Sequence, residues 1–146
     1  MSQFLAMFNQ MGPEAFSQGV SQIAPYFSTI DPEVVELKPG YCSVNLKNQK
    51  KVHNHIGTVH AIAMCNAAEL AGGMATDVSL PKGYRWIPQG MSVQYLAKAK
   101  TDLKVVCDAT DVDFSQAGEI IVHVDAFDTE GTKVFCADIT MNVKAG

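Results

Sequence analysis

From Val52 to Ala61 the chain reads Val-His-Asn-His-Ile-Gly-Thr-Val-His-Ala, a polar stretch directly ahead of the apolar run Ile62–Ala75. Histidine titrates near neutral pH and can move protons or bind metal, and asparagine offers both a donor and an acceptor. A helix starting just beyond them adds unpaired N–H groups and the positive end of its dipole, around Val59 to Ala61, where negative charge is stabilised. A single carboxylate, Glu69, lies within the apolar run. Burying it unpaired would cost several kcal/mol, so it must meet a partner or face a wet cavity. A donor aimed at a developing oxyanion and a carboxylate that activates water or attacks directly are what hydrolysis at a carbonyl needs.

Other histidines carry less. His53 and His55 form an H-x-H pair, but no further histidine or carboxylate cluster completes a metal site, and none is expected. His60 reads either as a structural residue at the helix start or as a base, and its role is supporting. His123, in the alternating run Ile120–Phe127, reads as a solvated or hydrogen-bonded surface residue.

The elements that must position these groups follow from periodicity. A helix is predicted from about Thr58, its N-cap, to Thr76, with alanines supplying propensity. It is apolar nearly all round, so sheet or a partner chain should wrap it. Gly72-Gly73 weakens it and implies close packing against another backbone, such as a helix at a dimer interface. Upstream, Phe4 to Met11 and then Phe16, Val20, Ile23 and Phe27 recur at helical spacing on either side of Gly12-Pro13. These two short helices serve the core or cap a pocket. Lys38-Pro39-Gly40 separates two β-branched runs as a hairpin turn. Beyond Pro81-Lys82-Gly83 the chain reads as a meander of four strands, with Thr129-Glu130-Gly131 turning between the last two. The class is α+β, one antiparallel sheet packed on a long helix.

The chain has 146 residues, 47% of them hydrophobic, and a formal charge of −4. These fit a single domain, 1–146, with a helical segment 1–30 and a core 31–146. A pI near 5.4 with scattered lysines argues against a nucleic-acid partner. Cys42, Cys65, Cys107 and Cys136 form no C-x-x-C pair and read as buried thiols. With no basic leader and no stretch of ~18 apolar residues, a cytoplasmic protein with no membrane partner is expected.

His53 to Gly73, together with Met91–Lys100 and Asp125–Thr140, resembles the hotdog-fold acyl-CoA thioesterases, in particular the phenylacetyl-CoA and 4-hydroxybenzoyl-CoA groups. The matching residues are Asn54, Gly57-Thr58-Val59-His60, Glu69 and Tyr95-Leu96-Ala97-Lys98-Ala99-Lys100, within a likeness spanning Val34 to Val143. The resemblance implies a sheet wrapped around a long central helix, an acyl-CoA substrate and no cofactor. It implies an oxyanion donor at the Ala61 N–H and a positioning role for Asn54. Glu69 lies eight residues beyond Ala61, about 12 Å at ~1.5 Å per residue, and cannot reach that site in its own chain. The resemblance therefore implies a homodimer, with a dimer of dimers as a further step, in which Asn54 and Ala61 meet the second subunit's acid. Many relatives carry Asp at the Glu69 position, so attack by water and by the carboxylate both stay open. This chain has Pro88 where some relatives carry a hydroxyl, and Ala61-Ile62 where relatives commonly have two glycines.

Lys98 and Lys100, with Lys82 and Arg85, are either phosphate contacts for coenzyme A or solvated charges. Three functions follow. The first is hydrolysis of an aryl or short- to medium-chain acyl-CoA. The second is a non-catalytic acyl-CoA or acyl-carrier binding module. The third is a hotdog hydratase or dehydratase, against which stands the missing Pro-Gly segment before the helix.

Overall fold

The computed structural model describes residues 2–146. Ser2 caps α1 (Gln3–Met11) by accepting the Phe4 N–H at 3.1 Å. Gly12, at φ 83°, ends that helix, and Pro13 opens α2 (Pro13–Ile23), the end-with-glycine, start-with-proline arrangement. Phe4 and Phe8 meet Phe16 edge-on, with ring centroids 6.3 and 5.3 Å apart, and Leu5, Phe16 and Val20 are buried. The N-terminal helices thus serve the core. A 3-10 segment, Pro25–Ile30, leads into the sheet.

β1 (Glu33–Lys38) and β2 (Tyr41–Leu46) form the expected hairpin, turning at Gly40, whose φ of 76° suits glycine. A long helix, α3 (Ala61–Asp77), precedes β3 (Arg85–Tyr95), β4 (Leu103–Asp108), β5 (Gly118–Phe127) and β6 (Lys133–Lys144). All pairings are antiparallel, in the order β1-β2-β4-β5-β6-β3. The α+β class is as expected, but the four-strand meander is not. Only β4, β5 and β6 follow one another; β2 sits beside β4, and β3 lies at the far edge beside β6. The reason is α3, which packs across the sheet from β2 to β3, so the chain re-enters at the opposite side.

Met64, Ala67, Leu70, Ala71 and Ala75 of α3 are buried together with Val44, Val105, Val122, Val124 and Met141 of the sheet. Gly72 and Gly73 also work within the chain rather than between subunits. A Cβ on Gly72 would stand 2.9 Å from Ile139 Cδ1, and one on Gly73 2.8 Å from Trp86 Cη2. Glycine lets α3 settle against its own sheet.

The two ends of the sheet differ. Along β1 lies α2, whose Ser17 Oγ accepts the Val34 N–H at 2.8 Å and donates to the Pro13 carbonyl at 2.6 Å. Among the described residues the outer edge of β3 pairs with no strand, and Ile87 and Tyr95 are 61% and 55% exposed. Of the four cysteines expected to be buried, only Cys42 and Cys107 are, opposite each other on β2 and β4; Cys65 and Cys136 are half-buried. Burial pushes the Cys107 thiol up to about 12 and raises Cys42 as well. Among the described residues no helix is long and apolar enough to cross a membrane.

Candidate active site

The polar stretch folds into a closed turn. Asn54 Oδ1 accepts the Ile56 and Thr58 N–H groups, each at 3.1 Å, its Nδ2–H donates to Thr58 Oγ1 at 2.8 Å, and its own N–H donates to the Thr58 carbonyl at 2.9 Å. Gly57, at φ 80°, makes the bend. Thr58 is therefore occupied by Asn54 and does not cap α3. The cap is His60, whose Nδ1 accepts the Ile62 N–H at 3.0 Å, and the helix starts at Ala61, three residues later than expected. With its Nδ1 lone pair taken, His60 keeps only Nε2 for other work.

Two of the three N–H groups expected to be free are bound. Val59 donates to the Ala99 carbonyl at 2.9 Å and His60 to the Val52 carbonyl at 2.7 Å. The Ala61 N–H has no acceptor among the described residues and points to the positive end of a 17-residue helix. Of the three, the Ala61 N–H is the one left free. The Val59–Ala99 bond places the segment carrying Lys98 and Lys100 beside this helix start. Asn48 reinforces the junction: its Nδ2–H donates to the Lys100 carbonyl at 3.0 Å, and its Oδ1 accepts from His53 Nε2 at 2.6 Å. Both lysine side chains are exposed.

Glu69 is half-buried and has no hydrogen-bond or ion-pair partner among the described residues. It faces a groove of about 290 Å³ shared with Pro88, Gln89, Gly90, Met91 and Ile139. Of the two fates open to a carboxylate in an apolar helix, the cavity is the one found. Gln89, which stands in a β-bulge between Pro88 and Gly90, was not read from the sequence as part of this groove. Its signal was present: a proline and a glycine inside a strand mark an edge and a bulge.

Ile62, Cys65, Asn66 and Glu69 form the open face of α3, spaced three or four residues apart. Burial raises the Cys65 thiol above its ordinary value, and Tyr95 stacks on Phe135 at 6.2 Å. The chain thus presents a free backbone N–H at Ala61 and a free carboxylate at Glu69 on one open surface without bringing them together. A larger groove of about 640 Å³ lies elsewhere, among Asp31, Glu33, Lys47, Asp102, Lys104 and Asp128, and holds none of the candidate site residues singled out from the sequence.

His123 is a hydrogen-bonded surface residue, as read, with Asp138 Oδ1 2.7 Å from Nδ1 and Asp125 Oδ1 2.8 Å from Nε2. Among the described residues, no three His, Cys, Asp or Glu side chains gather at metal-binding spacing.

A family model described as a domain of unknown function, DUF4442, matches residues 12–143, so the match takes in α2 as well as the sheet. The structure of the structural-genomics protein APC5556 is 50% identical over 99% of this chain and 97% of its own, with a TM-score of 0.91. The thioesterase HI1161 from Haemophilus influenzae is 12% identical over 88% of this chain and 90% of its own, at 0.76. A thioesterase family protein from Silicibacter pomeroyi is 14% identical over 89% and 96%, also at 0.76. The last two show a shared fold. No curated protein sequence matches the chain.

Proposed function

Since the chain belongs to the DUF4442 family and has the hotdog fold, we propose that it hydrolyses acyl-coenzyme A thioesters as a homodimer. One observation carries this reading. The Ala61 N–H and the Glu69 carboxylate are both unpaired on the open face of α3, yet about 12 Å apart at ~1.5 Å per residue. A second copy packed antiparallel completes the site. Setting Ala61 against the partner subunit's Glu69 puts the two-fold axis beside Cys65, which does lie on the open face, and the bare edge of β3 would pair with its own symmetry mate.

In such a site the thioester carbonyl oxygen accepts the Ala61 N–H. Glu69 of the partner subunit takes a proton from water as the water oxygen bonds to the carbonyl carbon. When the tetrahedral oxyanion collapses, the C–S bond breaks and the thiolate recovers that proton. Direct attack by the carboxylate breaks the C–S bond, releases the thiolate to take up a proton, and gives an anhydride that water then opens. Label from ¹⁸O water found in Glu69 after one turnover marks that route, through attack of water on the side-chain carbonyl.

Asn54 acts by holding the Gly57-Thr58 turn against the helix start, and His60 by fixing the first N–H groups of α3; both are positioning residues. Lys98 and Lys100 supply point charges for the nucleotide phosphates. The acyl group is an aryl or a short to medium chain. The outer sheet face, open at Ile87 and Ile121, is the surface a dimer of dimers would cover. Four free thiols support a reducing, cytoplasmic setting.

Thiol release from a panel of acyl-CoAs by wild type and Glu69→Ala tests the reading. Turnover should fall ~100-fold or more in a folded variant. Undiminished turnover removes Glu69 from the mechanism, and no thiol release from any substrate removes the hydrolase.

A further inference from the structure

Asn66 stands three residues before Glu69 on the same face of α3. Its Nδ2–H donates to Thr29 Oγ1 at 3.2 Å, and the Thr29 hydroxyl donates to the Tyr26 carbonyl at 2.8 Å. That hydroxyl has one proton, already committed, so towards Asn66 it can only accept. Turning the amide over would set oxygen against oxygen. Asn66 Oδ1 is therefore held away from Thr29, and it is buried with no donor in reach. A buried acceptor left unpaired is destabilising, and such atoms in a folded protein call for an explanation. Ser43 Oγ is similarly unpaired, but it lies within the sheet on β2.

Asn66 differs because it lines a groove of about 250 Å³, walled also by Tyr26, Thr29, Ile30, His60 and Ala63. His60 immediately precedes the free Ala61 N–H. Asn66 is five residues further on, about 7.5 Å along the axis at ~1.5 Å per residue. A molecule whose carbonyl rests at Ala61 can reach that far with one of its arms. Tyr26, 71% exposed, is the wall on the solvent side.

We propose that Asn66 is a specificity-determining residue whose Oδ1 accepts a hydrogen bond from the bound thioester. The inference rests on the hydrolase reading for where the carbonyl sits. The required chemistry is an N–H or O–H donor within roughly 7 Å of the carbonyl, a span set by the helix rise. Two parts of a substrate supply it: the amide N–H nearest sulfur on a pantetheine arm, or a hydroxyl on the acyl group.

The test compares kcat/KM for four thioesters. Hexanoyl and 6-hydroxyhexanoyl groups are each joined to N-acetylcysteamine, which carries the amide, and to pentanethiol, which does not. Wild type should favour donor-bearing substrates about tenfold, the scale of one hydrogen bond. In Asn66→Leu that preference should fall to within about twofold, with donor-free substrates unaffected. Thr29→Val, at an exposed position, frees the amide to turn and should give an intermediate ratio. A preference that follows the amide identifies the pantetheine arm, and one that follows the hydroxyl identifies the acyl group. A preference that survives Asn66→Leu, or that is absent in wild type, overturns the proposal. If no thioester is hydrolysed, calorimetry with pantetheine and with 6-hydroxyhexanoate decides. Binding weakened about tenfold by Asn66→Leu keeps the subsite while the hydrolase falls, and binding indifferent to Asn66, or absent, removes both.

Discussion

The two edge strands of the sheet face opposite situations. β1 is six residues long, carries Glu33, Glu36 and Lys38, and has α2 laid along it with Ser17 taking up the Val34 N–H. β3 is eleven residues long, has no charge between Trp86 and Tyr95, and leaves a row of backbone groups unpaired. Exposed edges invite pairing with another chain, and proteins usually guard them with charge, shortness or a cover. One edge is guarded in all three ways. The other is guarded only by Pro88 and the bulge at Gln89, close to its middle. An edge left open while its counterpart is closed supports the proposal that a second copy pairs there. That edge also borders the groove of Glu69, the carboxylate with no partner in its own chain.

Three substitutions separate the closed edge from the open one. Phe16→Ala, beneath α2, should cost about 3–5 kcal/mol in a denaturant titration while leaving turnover per folded molecule unchanged. An effect on association instead would mean that the closed edge is also an interface. Ile87→Lys with Tyr95→Lys places charge on the open edge at two exposed positions. Sedimentation should then show monomers, and thiol release should drop ~100-fold or more with the melting temperature of the monomer preserved, matching Glu69→Ala. A dimeric, active double variant would put the interface elsewhere.

The smallest effect belongs midway between the edges. Hydrogen bonding to Asp138, assisted by Asp125, raises the His123 pKa, and Lys133 shares Asp125 at 3.3 Å. The stabilisation from charged His123 is complete below the ordinary histidine value near 6.5 and is lost as pH rises through the raised folded-state value. With the imidazole nearly half exposed, His123→Gln should lower stability by less than ~1 kcal/mol at pH 6 and by progressively less above neutrality. Melting curves across pH would show it, and association should not respond.

What was legible in the sequence was local. The two N-terminal helices, the Pro39-Gly40 turn and the existence of the apolar α3 are as expected, because spacing and turn chemistry act over a few residues; the second helix stops at Ile23, where Pro25 begins a 3-10 segment that holds Phe27. The strand order was not legible, because it depends on where α3 lies across the sheet. The start of α3 was misplaced for a subtler reason: Thr58 is a good cap by type, but Asn54 engages it first, and a histidine ring takes the role. Gly72-Gly73 correctly signalled close approach and could not say to what. Glu69 was singled out by its charge alone. Asn66 passed unnoticed, because a missing hydrogen bond leaves no trace in composition.

Trp86 is the only tryptophan in the chain. Its ring rests against Gly73, and its Nε1–H donates to Asp77 Oδ1 at 2.9 Å, with Asp77 Oδ2 also accepting the Ser2 hydroxyl. The end of α3, the start of β3 and the N-terminus are thereby gathered around one indole. The protein carries its own fluorophore at that junction, with a carboxylate against the indole nitrogen and glycine under the ring. Emission therefore follows one seam rather than an average over the fold, and unlabelled protein can report whether the open strand is seated on its helix as subunits associate or part.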